Sequence, residues 1–359
     1  MSNSDVAITA QNLDALHEAL RSSRWAGSEL TPLEDSGLAH AHVRLEGHGC
    51  LLRIPKQSQV GLPPQRHLEH EAACFQRAMA SGCTPKLYAC LSTSRLLPQG
   101  ALVVEEVIGR PPVLPADLDA IMATLAAIHA LDLPDRPARR PLPDLADPLR
   151  AMHDEVSGQA RYLSQVELSP GSENLLQSGL SALAKSLHRH DRPPVSLITF
   201  DAHPGNFLID ESGKAWMVDL EKARYSHAGF DLAHATLYTS TTWDLRTHAV
   251  LEAASVIEAY RQWAAYLADL RGGESASVLA HLSWQADLRR AMWLWSSTWC
   301  AKWLATAAQN HTGHYENWDR NNNADTLNRH VEERARHYLS QQVLQQVSDE
   351  IQLIGDAFR

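Results

Sequence analysis

One short stretch, LITFDAHPGNFLIDESGKAWMVDLEK at residues 197–222, gathers Asp201, His203, Asn206, Asp219 and Glu221. A carboxylate, an amide oxygen and a second carboxylate suit a hard cation such as Mg²⁺, which prefers oxygen ligands and is usually held by one or two side chains plus phosphate oxygens. A remaining carboxylate can accept a proton from a hydroxyl. That combination is equipment for phosphoryl transfer: metal ions neutralise the developing charge and a base aims the nucleophile.

The elements that would position these groups are legible in the same stretch. Phe207 to Ile209 and Ala215 to Val218 are β-prone runs, and Asp210-Glu211-Ser212-Gly213-Lys214 between them carries the turn residues of a short hairpin. Pairing about a turn centred near Ser212 and Gly213 sets Asn206 opposite Asp219 at the open end. Asp201 lies in a segment that Pro204 and Gly205 keep irregular, so it can point into the same corner.

"FDAHPGNFLID" followed by "MVDLEKA" resembles the catalytic core of the aminoglycoside phosphotransferase and choline kinase-like superfamily, usually HGDxHxGN with a later D-x-E. The resemblance implies Asp201 as catalytic base, Asn206 and Asp219 as Mg²⁺ ligands, and His203 as a loop residue near the phosphates. Glu221 matches the later acidic position. Thr199 stands where the family usually has His, and Phe200 where it usually has Gly. The implied fold is α+β and two-lobed, protein-kinase-like: a small N-terminal β-sheet lobe with one main helix, residues 1–108, and a larger, mostly helical C-terminal lobe, residues 109–359. ATP and Mg²⁺ are the implied cofactors.

The first lobe reads accordingly. Residues 9–25 carry Leu13, Leu16 and Leu20 at helical spacing, an amphipathic helix to pack on that lobe. From Leu33 to Pro55 the period shortens towards two, a β-meander. Before it, Ser36 and Gly37 sit where related kinases place a phosphate-covering loop, without a G-x-G-x-x-G pattern. Arg53 falls inside the apolar strand Cys50 to Ile54, where a charge is costly unless paired. It wants the nucleotide phosphates or Glu71 on the next helix, expected from Arg66 to Ser81 with Leu68, Ala72, Phe75 and Met79 inward; Lys56 is the competing cation. ALVVEEVIG, residues 101–109, would lead into a hinge where backbone groups of Glu105 and Val107 meet adenine.

Beyond Pro111-Pro112 the pattern is helical: 117–131, then 173–187, a "DLA" helix start at Asp231 that would brace the catalytic loop or cap the helix, and a terminal helix from about Asn328 to Leu353. Trp284, Trp295, Trp299 and Trp303 are spaced for one helical face, a core stripe of which a member, or Trp243, could line the acceptor cleft through cation–π contact. His40 and His42, or His311 and His314, resemble metal ligands by spacing alone, with no further ligands at zinc-like intervals.

The net charge of −10, with no basic block, argues against a nucleic-acid partner. Five cysteines without a C-x-x-C pair read as reduced thiols of a cytoplasmic protein, and neither a secretory signal nor a membrane span is expected. The composite expectation is an ATP-dependent kinase acting on a hydroxyl of a small molecule, with a cationic acceptor suited to the acidic chain. A catalytically silent nucleotide-binding module and a metal-dependent hydrolase using Asp201 and His203 are the alternatives. The acceptor's identity and the oligomeric state are not encoded in any motif.

Overall fold

β-prone runs at residues 40–55 and 101–105 build the first lobe, and the structure, a computed structural model, describes residues 10–33, 40–56, 61–273, 275–310 and 322–359. Strands β1 (Leu30–Pro32), β2 (His40–Leu45), β3 (Cys50–Pro55), β4 (Leu87–Leu91) and β5 (Ala101–Glu105) form an antiparallel sheet in the order β1-β2-β3-β5-β4. Helix α1 (Ala10–Leu20) lies on one face, where Leu16 and Leu20 meet Val43, Leu45, Leu52 and Val103. Helix α2 (Pro64–Ala78) covers the other, where Leu68 and Phe75 meet Leu102 and Val104. Each such fully buried side chain contributes roughly 1.5–3 kcal/mol. Met79 does not join that stripe: α2 tightens into a 3₁₀ turn at Met79–Ser81, which leaves its side chain exposed. Ser36 and Gly37 lie outside the described residues, as do His311 and His314.

The second lobe is helical around two small ladders. Its helices are α3 (Leu118–His129), α4 (Pro148–Ala160), α5 (Pro170–Ser186), α6 (Gly229–Thr236), α7 (Tyr238–Thr241), α8 (Ala253–Leu270), α9 (Ser275–Leu282), α10 (Gln285–Asn310), α11 (Asn322–Tyr338) and α12 (Gln341–Ala357). Strand β6 (Val195–Ile198) pairs with β9 (Arg224–His227), and β7 (Phe207–Ile209) with β8 (Ala215–Met217). The two-lobed α+β, kinase-like architecture expected from the sequence is the one observed. Among the described residues, no helix is long and apolar enough to cross a membrane.

Two helical expectations need correction. The terminal helix is two helices, broken at Leu339–Ser340, where the Ser340 hydroxyl accepts the Val343 amide and starts α12 afresh. Leu344, Val347, Ile351 and Ile354 of α12 are buried against this chain's own lobe. Trp284 precedes α10 rather than sharing its face; it is buried and caged by Arg189, whose guanidinium lies 3.6 Å from the ring centre.

The chain after β5 passes close to β7 at Gly109. A β-carbon there would stand 2.8 Å from the Ile209 carbonyl oxygen, so the segment can pass β7 only with glycine. Arg110 then exchanges both backbone hydrogen bonds with Ile209.

Candidate active site

The β7–β8 hairpin forms with a register one residue away from expectation. Phe207 faces Met217, so Asn206 stands opposite Val218, whose amide donates to the Asn206 carbonyl at 3.0 Å; Asp219 is the next residue along. The cause is the loop. Asp210 Oδ1 accepts from the Ser212 amide and hydroxyl and from the Lys214 amide, which centres a five-residue turn on Ser212. A one-residue slip normally reverses side-chain faces, but the ladder ends at Phe207 and Met217, so strand alternation does not govern Asn206 and Asp219.

Asn206 sits at the end of a 3₁₀ turn, Pro204–Asn206, and its side-chain amide donates to the Asp201 carbonyl at 2.8 Å. That bond ties the loop to the hairpin and commits the NH₂ group, leaving the amide oxygen as the acceptor available to a cation. The Asp201 carboxylate accepts from Lys222 Nζ at 2.7 Å, with His234 Nδ1 3.9 Å away. Burial alone would push its pKa up, but Lys222, His203 and His234 hold it well below the usual carboxylate range. His234 itself is lowered to about 4, chiefly by burial. Asp219 accepts from Arg53 Nη2 at 2.6 Å, and Arg53 outweighs burial to keep that carboxylate ionised.

Thr199 and Phe200 occupy the family's usual His and Gly positions, and the structure accounts for both. Asp231, fully buried in the first turn of α6, accepts from the Thr199 amide and hydroxyl through Oδ2 and from the Phe200 amide through Oδ1. His129, at the end of α3, approaches the same carboxylate. Asp231 thus braces the loop rather than capping the helix. Phe200 has φ +59°, in the left-handed region that glycine adopts freely. Its ring is packed edge-on against Phe230 and Trp295 and lies 3.6 Å beneath the Arg224 guanidinium.

Arg53 and Glu71 are both buried beside the corner, but they do not form the expected pair. The Arg53 guanidinium bonds Asp219, and Glu71 Oε1 bonds His40 Nε2 at 2.5 Å. The reason is position: His40 starts β2, directly over α2, and reaches Glu71 first, while Arg53 extends from β3 across to the second lobe. Arg53 Nε remains buried without a partner. Glu105 ends β5 with its amide donated to Lys86, and half-buried Val107 follows outside the ladder. Lys222, His40 and His234 were not singled out from sequence as parts of this site. The signal for Lys222 was its place three residues after Asp219, within the same irregular segment.

Residues 35–267, well over half of the chain, match the sequence profile of the phosphotransferase enzyme family. The chain belongs to that family. Solved structures agree on the fold of this phosphotransferase-family protein. A choline/ethanolamine kinase family protein from Mesorhizobium loti superposes with TM-score 0.54 at 16% identity, covering 96% of this chain and 99% of that one. Aminoglycoside 2'-phosphotransferase-IIIa in complex with GDP gives 0.56 at 16% identity, over 90% and 99%. An ethanolamine kinase from Plasmodium vivax gives 0.55 at 10%, over 91% and 86%. Among curated proteins, none matches the chain.

Proposed function

We propose that this protein is an ATP-dependent small-molecule kinase that uses the Asp201–Asn206–Asp219 corner to move a phosphoryl group to an alcohol. The observation that carries the reading is the Asn206 amide bonded to the Asp201 backbone while Asp219 follows the facing residue of the hairpin, which keeps all three groups at one end of it. The donor set fits Mg²⁺, since a free amide oxygen and an ionised carboxylate are its ordinary ligands. Magnesium bound there would neutralise charge on the nucleotide's phosphates.

The chain's own groups do the rest. Asp201, ionised across the working pH range, accepts the hydroxyl proton and aims the oxygen for in-line attack. Lys222 fixes that carboxylate and offers a cation at the point of transfer. Arg53, by leaving or sharing Asp219, supplies charge to the phosphates, with Glu71 behind it. Ser36 and Gly37 over the phosphates, and the Glu105 and Val107 backbone at the adenine, complete the proposed cleft, with the lobe boundary at 108/109.

A cavity of about 130 Å³ opens beside Phe200, lined by Met152, Glu155, Arg224 and Phe230. Trp295 donates to Glu155 at 2.6 Å and stands edge-on to Phe200 and His234. Glu155 and Trp295 support a cationic acceptor, of the kind of the choline, ethanolamine or gentamicin named for structurally similar proteins, provided Arg224 keeps to the Phe200 ring it already covers. A screen of ADP release over alcohols, amino alcohols, sugars and aminoglycosides tests the reading. An acceptor-dependent signal that disappears in Asp201→Asn supports it, and a signal unchanged by that substitution removes Asp201 from the mechanism.

One observation favours a second reading, a catalytically silent nucleotide-binding module. Both key carboxylates are engaged by internal cations, Lys222 on Asp201 and Arg53 on Asp219. Nucleotide binding without transfer to any acceptor or to water would select it.

A further inference from the structure

Spacing in the chain pairs His40 with His42 and supplies no third or fourth ligand, but the fold brings His40 to Glu71 and Glu221. His40 Nε2 from β2, Glu71 from α2 and Glu221 from the segment after β8 bring ligand atoms within 4.8 Å of one another. Nε2 is 2.5 Å from Glu71 Oε1 and 3.9 Å from Glu221 Oε2. All three residues are buried, at 3%, 0% and 4% exposure. Glu71 Oε2 and Glu221 Oε2 are both buried with no hydrogen-bond partner.

Unpaired buried carboxylate oxygens are costly, and here two of them lie beside a neutral-capable imidazole nitrogen. We propose that His40, Glu71 and Glu221 form a binding site for a divalent transition-metal ion of the zinc class, separate from the Asn206–Asp219 pair. One imidazole and two carboxylates are a zinc donor set, and a fourth position stays open for water. A tetrahedral ion at about 2.0–2.1 Å from each ligand spaces the ligand atoms by about 3.3 Å, so His40 and Glu71 part by under an ångström and Glu221 closes on His40 by a similar amount. The ion would clasp β2 and α2 of the first lobe to the second, beside the contact that His70 Nε2 already makes with the Glu221 carbonyl at 2.9 Å.

The test uses the full chain, stripped with chelator and containing no nucleotide, so its outcome is independent of phosphoryl transfer. Zn²⁺ is titrated, retained metal is counted after desalting, and zinc-edge X-ray absorption reads the ligands in the unsubstituted protein. The expected result is one retained equivalent, coordinated by one imidazole nitrogen and carboxylate oxygens. His40→Ala and Glu221→Gln should each weaken binding by more than the roughly 10–100-fold typical of losing an outer-shell support. No retained zinc, an all-oxygen coordination shell, or affinity unchanged in both substituted proteins would overturn the assignment. The absorption spectrum decides the matter even where a substitution prevents folding.

Discussion

At the scale of single residues, Asp201, the proposed base, is held by Lys222. Replacing it with Asn should lower kcat by roughly 10²–10⁴-fold while nucleotide affinity, read by calorimetry, changes little. Lys222 sets the charge state of that carboxyl. In Lys222→Met the cation is gone, the carboxyl protonates at higher pH, and the acid limb of the pH–rate profile moves upward; a limb that stays in place would detach Lys222 from Asp201. Phe200 poses two opposed effects. Its left-handed backbone costs about 1–3 kcal/mol, whereas deleting its buried ring costs about 3–5 kcal/mol, so the ring wins and both Phe200→Gly and Phe200→Ala destabilise. Glycine should nevertheless be the better replacement, by about 1–2 kcal/mol in urea denaturation, because alanine loses the ring and keeps the strain. Alanine proving the more stable would show that the loop relaxes out of φ > 0.

At the scale of elements, the catalytic loop is held by α6 through Asp231. Asp231→Ala leaves the buried donors of Thr199 and Phe200 unmatched and should cost about 1–3 kcal/mol for each donor left without a partner, with loss of activity even where the protein still folds. Gly109→Ala should destabilise too, since its methyl would press on the Ile209 carbonyl. Hairpin, strands and most helices were readable from turn residues and periodicity. The hairpin's register was not, because it depends on which of its turn residues Asp210 bonds. The break between α11 and α12 has a local mark in Ser340, a capping residue inside an otherwise helical pattern. The partners of Arg53 and Glu71 were not readable, because His40 is thirty-one positions from Glu71 and Arg53 166 from Asp219. Periodicity carries no information on such pairs.

At the scale of the whole molecule, buried histidines make the fold sensitive to acid, against the opposite contribution of Glu221, which burial raises to about 8. His227 and His234 are lowered to about 4 and His281 to about 3, in each case mainly by burial. The unfolded chain binds these protons near pH 6.5 and the folded one only well below it. Their stabilising contribution is therefore complete above pH 6.5 and is lost as pH falls towards 4. Urea unfolding at pH 7.5 and 5.0 should show that loss, and His281→Leu should reduce the slope, since both His281 ring nitrogens are buried without partners. The two-lobed plan was implied by the family resemblance of the Asp201–Glu221 motif, while the cavity beside Phe200 followed from nothing local, being assembled from α4, the loop after β6, β9 and α6. The central claim is that Asn206 and Asp219 hold the metal over which Asp201 directs transfer. A crystal structure with an ATP analogue and Mg²⁺ tests it most directly. The account predicts the Asn206 amide oxygen and an Asp219 carboxylate oxygen about 2.0–2.1 Å from Mg²⁺, with Arg53 turned to the phosphates; a metal bound elsewhere, with Arg53 still on Asp219, would contradict it.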